Sequence, residues 1–418
     1  HNTAAPLPMK IVASSNGNLI KMTGISTRNG IPAILYDIDN LNRIAGTIRT
    51  DTNMFLLSPS NIERNIFIGA TANNSIINIS AITAVNFRDF SKDANQGDYL
   101  IITNSFLRQG SEDQIEAYKQ YRLSSQGGNY NVQIYDIDEL ADQFIFGGRK
   151  NPLAIRRFIL FALKNFSAPP KMVFLIGRGS TYSNFRTSSN INREFLNLIP
   201  SFGQPSSDNL LASKENIRPV PEVPIGRLSA ISPVEVKIYL EKVKEFEALQ
   251  QKRPFMPSDN EWRKHIVHLI GGDDQYLADS ILARYMRSFG NIISGPMVGA
   301  QVQQFSRPGN PNIAEDMKTI TSRLSEGVGL ITYFGHSSTS SIDFNLGSPK
   351  QFNNTDGKYN FFLANGCRAG NIFDLNFNRL NSSESSISEN FILADKKGSV
   401  AFISNSDLGA INYQNMLS

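Results

Sequence analysis

The run Gly329-Leu330-Ile331-Thr332-Tyr333-Phe334-Gly335-His336 stays largely apolar until its last two residues, and Phe361-Phe362-Leu363-Ala364-Asn365-Gly366-Cys367 repeats the plan. Each reads as a short buried strand closed by small residues, and each hands one chemically capable side chain to the edge beyond it. In open α/β sheets that edge, outside the carboxyl ends of the strands, is where ligands and reacting groups gather. An imidazole and the chain's single cysteine are therefore expected side by side.

Outward from these runs, strand and helix alternate. Upstream the pattern predicts strands at Tyr99 to Thr103, Val132 to Tyr135, Met172 to Ile176 and His265 to Ile270. Helices are predicted from a capping box at Ser111-Glu112-Asp113-Gln114 to about Arg122, over Pro152 to Phe166, Val234 to Leu249, Asp274 to Phe289 and Ile313 to Leu324. Downstream, Ser386 and Glu389 form a second capping box opening a helix to Asp395, and Ser399 to Ser404 is a strand. Such alternation marks βαβ units and largely parallel sheets covered by helices on both faces. The loop Pro254 to Asp259 reads as a joint between two tandem layers.

Before Tyr99 the rhythm is different. Lys10 to Val12, Ile31 to Tyr36, Asn53 to Leu57, Asn65 to Gly69 and Ile76 to Val85 read as strands, with a hairpin signal at Asn16-Gly17. The expected division is a β-rich domain over 1–95, an α/β subdomain over 96–255, and a second α/β subdomain over 256–418 carrying His336 and Cys367. At 418 residues, two or three domains are expected.

The composition is that of an ordinary globular protein, 40% hydrophobic and 19% charged, and no stretch is long enough for a transmembrane helix. Net charge is +4 from 41 basic and 37 acidic residues, with no basic stripe, so no nucleic-acid partner is expected. One cysteine excludes an internal disulfide and a CxxC metal site. The chain opens at His1 without a charged-then-apolar leader, which reads as a removed signal or an excised piece, and it stops at Ser418 within what reads as a new helix.

Only four histidines are present. His265 and His268 lie three apart on one predicted strand, which points them to opposite faces and favours packing roles over a metal pair. His336 alone stands at a strand exit. An unpaired cysteine is often a small buried hydrophobe, but Cys367 follows Asn-Gly at a strand end and precedes Arg368, a charge that favours thiolate. Together they form a nucleophile and its base, as acyl transfer requires. Gly335-His336-Ser337-Ser338-Thr339 begins like a serine-hydrolase elbow, yet Thr339 replaces its second glycine and no helical pattern follows. Gly177-Arg178-Gly179-Ser180 lacks the lysine of a phosphate loop and reads as a strand-end turn, and Asp274 reads as a helix cap.

Tyr333-Phe334-Gly335-His336-Ser337-Ser338, Ala364-Asn365-Gly366-Cys367, Ser388-Glu389-Asn390-Phe391 and Gly398 to Ile403 resemble the gingipain-type cysteine peptidases. Ser207-Asp208 and Pro221-Glu222-Val223-Pro224-Ile225-Gly226-Arg227 extend the likeness from about Tyr99 to the end. The resemblance implies a caspase-like α/β fold, with mostly parallel sheets flanked by helices in two tandem subdomains behind a small all-β domain. It implies Cys367 as nucleophile, His336 as general base and acid, and Glu222 as the acid that orients or charges the imidazole. Backbone N–H groups of Cys367 and Ser337 would hold the oxyanion. The family has glycine where Ser337 stands, and serine would be strained there if φ were positive.

The β-rich start is most similar to the family branch that acts as sortase in type IX secretion. That likeness implies a polypeptide substrate, the C-terminal region of exported proteins, together with outer-membrane secretion partners and a secreted location, at the cell surface, outer membrane or periplasm. No cofactor is expected; a calcium ion is compatible with the resemblance, but no ligands are assigned. Arginine-directed relatives carry an acid just after the Gly-Arg segment, whereas Leu228-Ser229-Ala230-Ile231-Ser232-Pro233 has none. A non-catalytic docking protein on the same fold is the alternative.

Overall fold

Short alternating apolar segments build the first of two units, His1–Ala84. The computed structural model describes residues 7–25, 30–69, 84–214, 220–252, 256–272, 276, 278–381 and 385–409. Seven strands fall in this unit: β1 (Leu7–Ile11), β2 (Asn18–Thr23), β3 (Ile34–Asp37), β4 (Asn42–Ala45), β5 (Thr47–Arg49), β6 (Thr52–Leu57) and β7 (Arg64–Gly69). They form two antiparallel sheets, ordered β1-β7-β3-β4 and β2-β6-β5. Alternate residues Ile20, Leu35, Phe55, Leu57, Ile66 and Ile68 close the core between them. Gly17 makes the expected turn at φ 77°, but β1 and β2 part into different sheets, so Asn16-Gly17 does not close a hairpin. The strand expected at Ile76 to Val85 lies almost wholly outside the described residues.

The second unit, Val85–Ser418, holds two parallel sheets. The first half runs β8 (Tyr99–Thr103), α1 (Gln114–Leu123), β9 (Val132–Asp136), α2 (Ile137–Ile145), α3 (Leu153–Asn165), β10 (Met172–Ile176), α4 (Tyr182–Thr187), β11 (Ile225–Leu228) and α5 (Pro233–Gln251). Its strands lie in the order β11-β10-β8-β9, all parallel. On β8, Leu100 and Ile102 enter one core while Tyr99 and Ile101 enter the other, so both faces are covered. The cap of α1 is Asp113, whose carboxylate accepts from the N–H groups of Ile115 and Glu116, rather than Ser111.

The second half runs β12 (His265–Ile270), α6 (Ala283–Ile293), β13 (Gln301–Ser306), α7 (Ile313–Glu326), β14 (Leu330–Phe334), β15 (Asn360–Asn365), α8 (Ile387–Leu393) and β16 (Ser399–Ser404). Its order is β13-β12-β14-β15-β16, again all parallel. Ile331 and Tyr333 pack on one face of β14 and Phe334 on the other. Fully burying an aromatic such as Phe362 contributes about 2–3 kcal/mol. A π-helical turn over Ala278–Leu282 leads into α6, and the expected cap Asp274 lies outside the described residues.

Two buried charges join the halves. Lys242 on α5 donates from Nζ to the carbonyls of Phe391, Ile392 and Ser399, which satisfies the last turn of α8. Arg178, after β10, pairs with Glu389 on α8 at 3.2 Å, and Arg379 pairs with the same carboxylate at 3.4 Å. Ser229, after β11, donates to it at 2.7 Å. Burial alone would raise the Glu389 carboxyl, but the two guanidiniums and these donors outweigh it and hold the group below its ordinary value. The turn Gly177-Arg178-Gly179 thus carries a structural charge that its residue types did not announce.

Candidate active site

Strands β14 and β15 are direct neighbours, with Phe334 opposite Asn365. His336 and Cys367 each lie two residues beyond that pair, so the parallel register brings them out together at the carboxyl edge. The two exits are stitched to each other. Gly335 N–H donates to the Asn365 carbonyl at 3.3 Å, and Ser337 Oγ donates to the Cys367 carbonyl at 2.7 Å. Glycine is required at both turns: a Cβ on Gly335 would come within 2.7 Å of the Gly271 backbone, and one on Gly366 within 2.2 Å of Ser337 Oγ.

After His336 the chain doubles back in a tight hairpin. Ser337 is bridged to Ile342, with Ser338 N–H donating to Ser341 at 2.8 Å and Asp343 N–H donating to the His336 carbonyl at 3.2 Å. Ile342 anchors this hairpin in the core. The Tyr333 hydroxyl lies beneath it, donating to the His336 carbonyl and accepting from Asp343 N–H. This arrangement leaves the His336 side chain exposed. Ser337 lies outside the left-handed region, so serine carries no backbone strain where the family has glycine. Its hydroxyl is held by the Cys367 carbonyl, and a hairpin follows rather than the helix a serine-hydrolase elbow needs.

Cys367 is a free thiol, partly exposed. Arg368 follows at φ 61°, a sharp left-handed turn that lifts the cysteine off the sheet, and its N–H donates to the Asp407 carbonyl at 2.9 Å. Arg368 pairs with Asp374 at 2.6 Å, which neutralises the charge expected beside the thiol. The donor that does reach sulfur is Gly409 N–H, at 3.4 Å from Sγ. Among the described residues, the N–H groups of Cys367 and Ser337 donate to no acceptor, and the imidazole of His336 has no hydrogen-bond partner. Two amides and a ring thus stand unengaged beside a reachable sulfur.

Glu222 is placed elsewhere. It precedes the first residue of β11, at the amino end of the first sheet, where its exposed carboxylate pairs with Lys214 at 2.9 Å. The structure does not bring it to His336. His265 and His268 take separate environments, the first bonded to the Gly327 carbonyl and the second buried, where desolvation lowers its basicity. Among the described residues no three His, Cys, Asp or Glu side chains are placed to hold a metal ion. None of the described helices is long and apolar enough to cross a membrane.

A cleft of about 1220 Å³ opens from the hairpin after His336. Thr339 to Ile342 form one wall and Asp374 to Phe377, from the turn after Cys367, another; Asn184 and Thr187 of α4 reach it from the first half. Its lining is rich in hydroxyl and amide groups, with Asp374 and Lys350 as its charges.

The sequence profile of Peptidase family C25 matches residues 92–418. The chain belongs to peptidase family C25. Its fold is similar to that of the Arg specific cysteine proteinase gingipain R (RGPB), with a TM-score of 0.53 and 17% identity over 76% of this chain and 63% of that one. A complex of the Porphyromonas gingivalis RgpB pro- and mature domains matches with a TM-score of 0.51 and 16% identity, over 75% of this chain and 64% of that one. The chain thus spans less than two thirds of the length of these structures. Comparison with curated protein sequences returns no match. The expected gingipain-like, caspase-type architecture is therefore the fold of this C25 member, with an antiparallel β region ahead of the parallel sheets.

Proposed function

We propose that this C25 member is a cysteine peptidase in which Cys367 attacks a peptide carbonyl and His336 manages the protons. The observation that carries the reading is the 2.7 Å hydrogen bond from Ser337 Oγ to the Cys367 carbonyl, which locks the imidazole loop to the nucleophile turn. His336 takes the thiol proton, the thiolate adds to the carbonyl, and the oxyanion is received by the N–H groups of Cys367 and Ser337. Collapse breaks the C–N bond, the imidazolium gives its proton to the leaving amine, and a thioester remains. Water then gives hydrolysis; an amine gives a new amide. Withdrawal of one oxyanion donor costs such enzymes on the order of 10²–10³ in turnover.

Within this reading, the finer assignment is the PorU-like sortase of type IX secretion, at the cell surface, outer membrane or periplasm. It would remove C-terminal sorting segments and transfer cargo to an amine-bearing surface glycolipid with outer-membrane secretion partners. Support comes from the β-rich unit ahead of the peptidase part and from the lack of an acid in Leu228 to Pro233 for an arginine side chain. Two carboxylates bond to that stretch and both are engaged: Glu389 is buried between two guanidiniums, and Glu235 accepts from Ile231 N–H and pairs with Arg379. The test is a cargo protein carrying its C-terminal segment, incubated with the chain with and without a soluble amine. A new amide at the trimmed end supports transfer; a free carboxylate alone in both reactions supports a hydrolase and refutes the sortase assignment.

A further inference from the structure

We propose that Asp343 is the positioning carboxylate of the site, holding and charging the His336 imidazole in the role that the family resemblance gave to Glu222. The inference rests on the Cys367–His336 reading. Four observations converge on Asp343.

The hairpin after His336 is registered by the Ser337–Ile342 bridge, so the positions directly across from each other one step outward are 336 and 343. The Asp343 N–H to His336 carbonyl bond, 3.2 Å, confirms that pairing. Cross-strand partners in an antiparallel pair present their side chains on the same face, with Cβ atoms about 5 Å apart. That spacing is within the combined reach of a carboxylate and an imidazole.

The two groups are also both available. Asp343 Oδ2 is a buried oxygen without a hydrogen-bond partner, and Oδ1 has only a 4.0 Å approach from Arg307 Nη1. Leaving a buried carboxylate oxygen unpaired costs about 1–3 kcal/mol, and a ring N–H would recover it. The His336 ring is unpartnered among the described residues. Glu222, by contrast, already pairs with Lys214 at the opposite end of a different sheet.

The lateral order fits the task as well. The strand exits run β13, β12, β14, β15, β16 along the sheet edge, with Arg307 after β13, His336 after β14 and Cys367 after β15. Asp343 approaches Arg307, on the far side of His336 from the thiol, while Ser337 reaches the Cys367 side. Carboxylate, imidazole and sulfur therefore follow one another along a single edge, the sequence a relay of this type requires. Among the described residues, the remaining charges on neighbouring exits are Arg368, paired with Asp374, and Asp407 after β16; β12 contributes Gly271 and Gly272, and Asp273 and Asp274, which follow them in the sequence, lie outside the described residues.

Alkylation of Cys367 by iodoacetamide, followed by intact mass across pH 4–10, tests this without any peptide substrate, since the chain has one cysteine. The wild-type profile should show a thiolate–imidazolium limb that His336→Ala abolishes. Asp343→Asn should move the alkaline end of that limb down by about one pH unit, because it removes the negative charge that favours imidazolium. Arg307→Gln should move it upward, and Glu222→Gln should superimpose on wild type. Should Asp343→Asn lose its fold by circular dichroism, the Arg307→Gln shift decides in its place. Superposition of both the Asp343→Asn and Arg307→Gln profiles on wild type, or a shift with Glu222→Gln, overturns the role of Asp343 while leaving the site intact. A wild-type profile unaltered by His336→Ala instead overturns the Cys–His reading itself.

Discussion

The two parallel sheets of the second unit share a topology and differ in what their carboxyl edges do. At the first sheet the exits of β8, β10 and β11 are tied to neighbouring protein groups: Thr103 Oγ1 donates to the Ile176 carbonyl, Arg178 and Ser229 serve Glu389, and Arg227 pairs with Asp208 at 2.8 Å. At the second sheet the exits of β14 and β15 expose an imidazole and two amides that no described residue engages, beside a partly exposed thiol reached by Gly409. Polar groups in a folded protein are normally paired, so an edge that leaves donors unpaired beside a nucleophile is arranged for an external partner.

Variants at the two edges should therefore fail in different ways. The largest effect belongs to the second edge: Cys367→Ala should lower peptide turnover by on the order of 10³-fold or more with an unchanged melting temperature, measured by steady-state cleavage and calorimetry. Equal losses of activity and stability would erase the distinction. At the first edge, Glu389→Gln leaves Arg178 buried without its counter-charge, while Arg379 keeps Glu235 at 2.8 Å, and should cost about 3–5 kcal/mol of stability in urea unfolding.

Glu389 also fixes a pH dependence. Its folded-state value is depressed, so its contribution is present above the unfolded value of about 4.3 and is lost as pH falls through the lower folded value. The wild type should accordingly lose stability below about pH 4.3 faster than Glu389→Gln does. Parallel acid curves for the two proteins would argue against the depressed carboxyl.

Smaller effects sharpen the picture. Ser337→Ala removes one hydrogen bond between the two exits, about 0.5–1.5 kcal/mol, and should lower kcat/KM two- to tenfold while Ser337→Gly behaves similarly. A serine-hydrolase site would instead lose all activity in both. The smallest effect is expected for Glu222→Gln, an exposed ion pair worth under about 1 kcal/mol, with kcat/KM within twofold of wild type.

The parts of this fold that were legible in the sequence are those where burial dictates composition. Leu330 to Phe334 and Phe361 to Ala364 lie inside a covered parallel sheet and read as near-continuous apolar runs, and the edge strand Ser399 to Ser404 keeps an apolar middle from Val400 to Ile403, so these strands and the strand-exit positions of His336 and Cys367 could be anticipated. β13 was not legible, because an edge strand tolerates Gln301, Gln303 and Gln304. α2 was hidden because Asp136 ends β9 and caps the helix at once, accepting from Asp138 N–H with no loop between. The capping role of Glu389 is plain in the sequence, but its second oxygen serves residues 211 and 160 positions away, and no local pattern encodes that. Asp343 was invisible for a similar reason: its relation to His336 exists only through hairpin register.

A thiol-directed irreversible peptide inhibitor, read by intact mass and peptide mapping, probes the pairing of Cys367 with His336 without any knowledge of the natural substrate. Modification should be stoichiometric at Cys367, the only cysteine, and disappear in His336→Ala. Slow modification indifferent to His336→Ala would contradict it and leave the second edge as a docking scaffold.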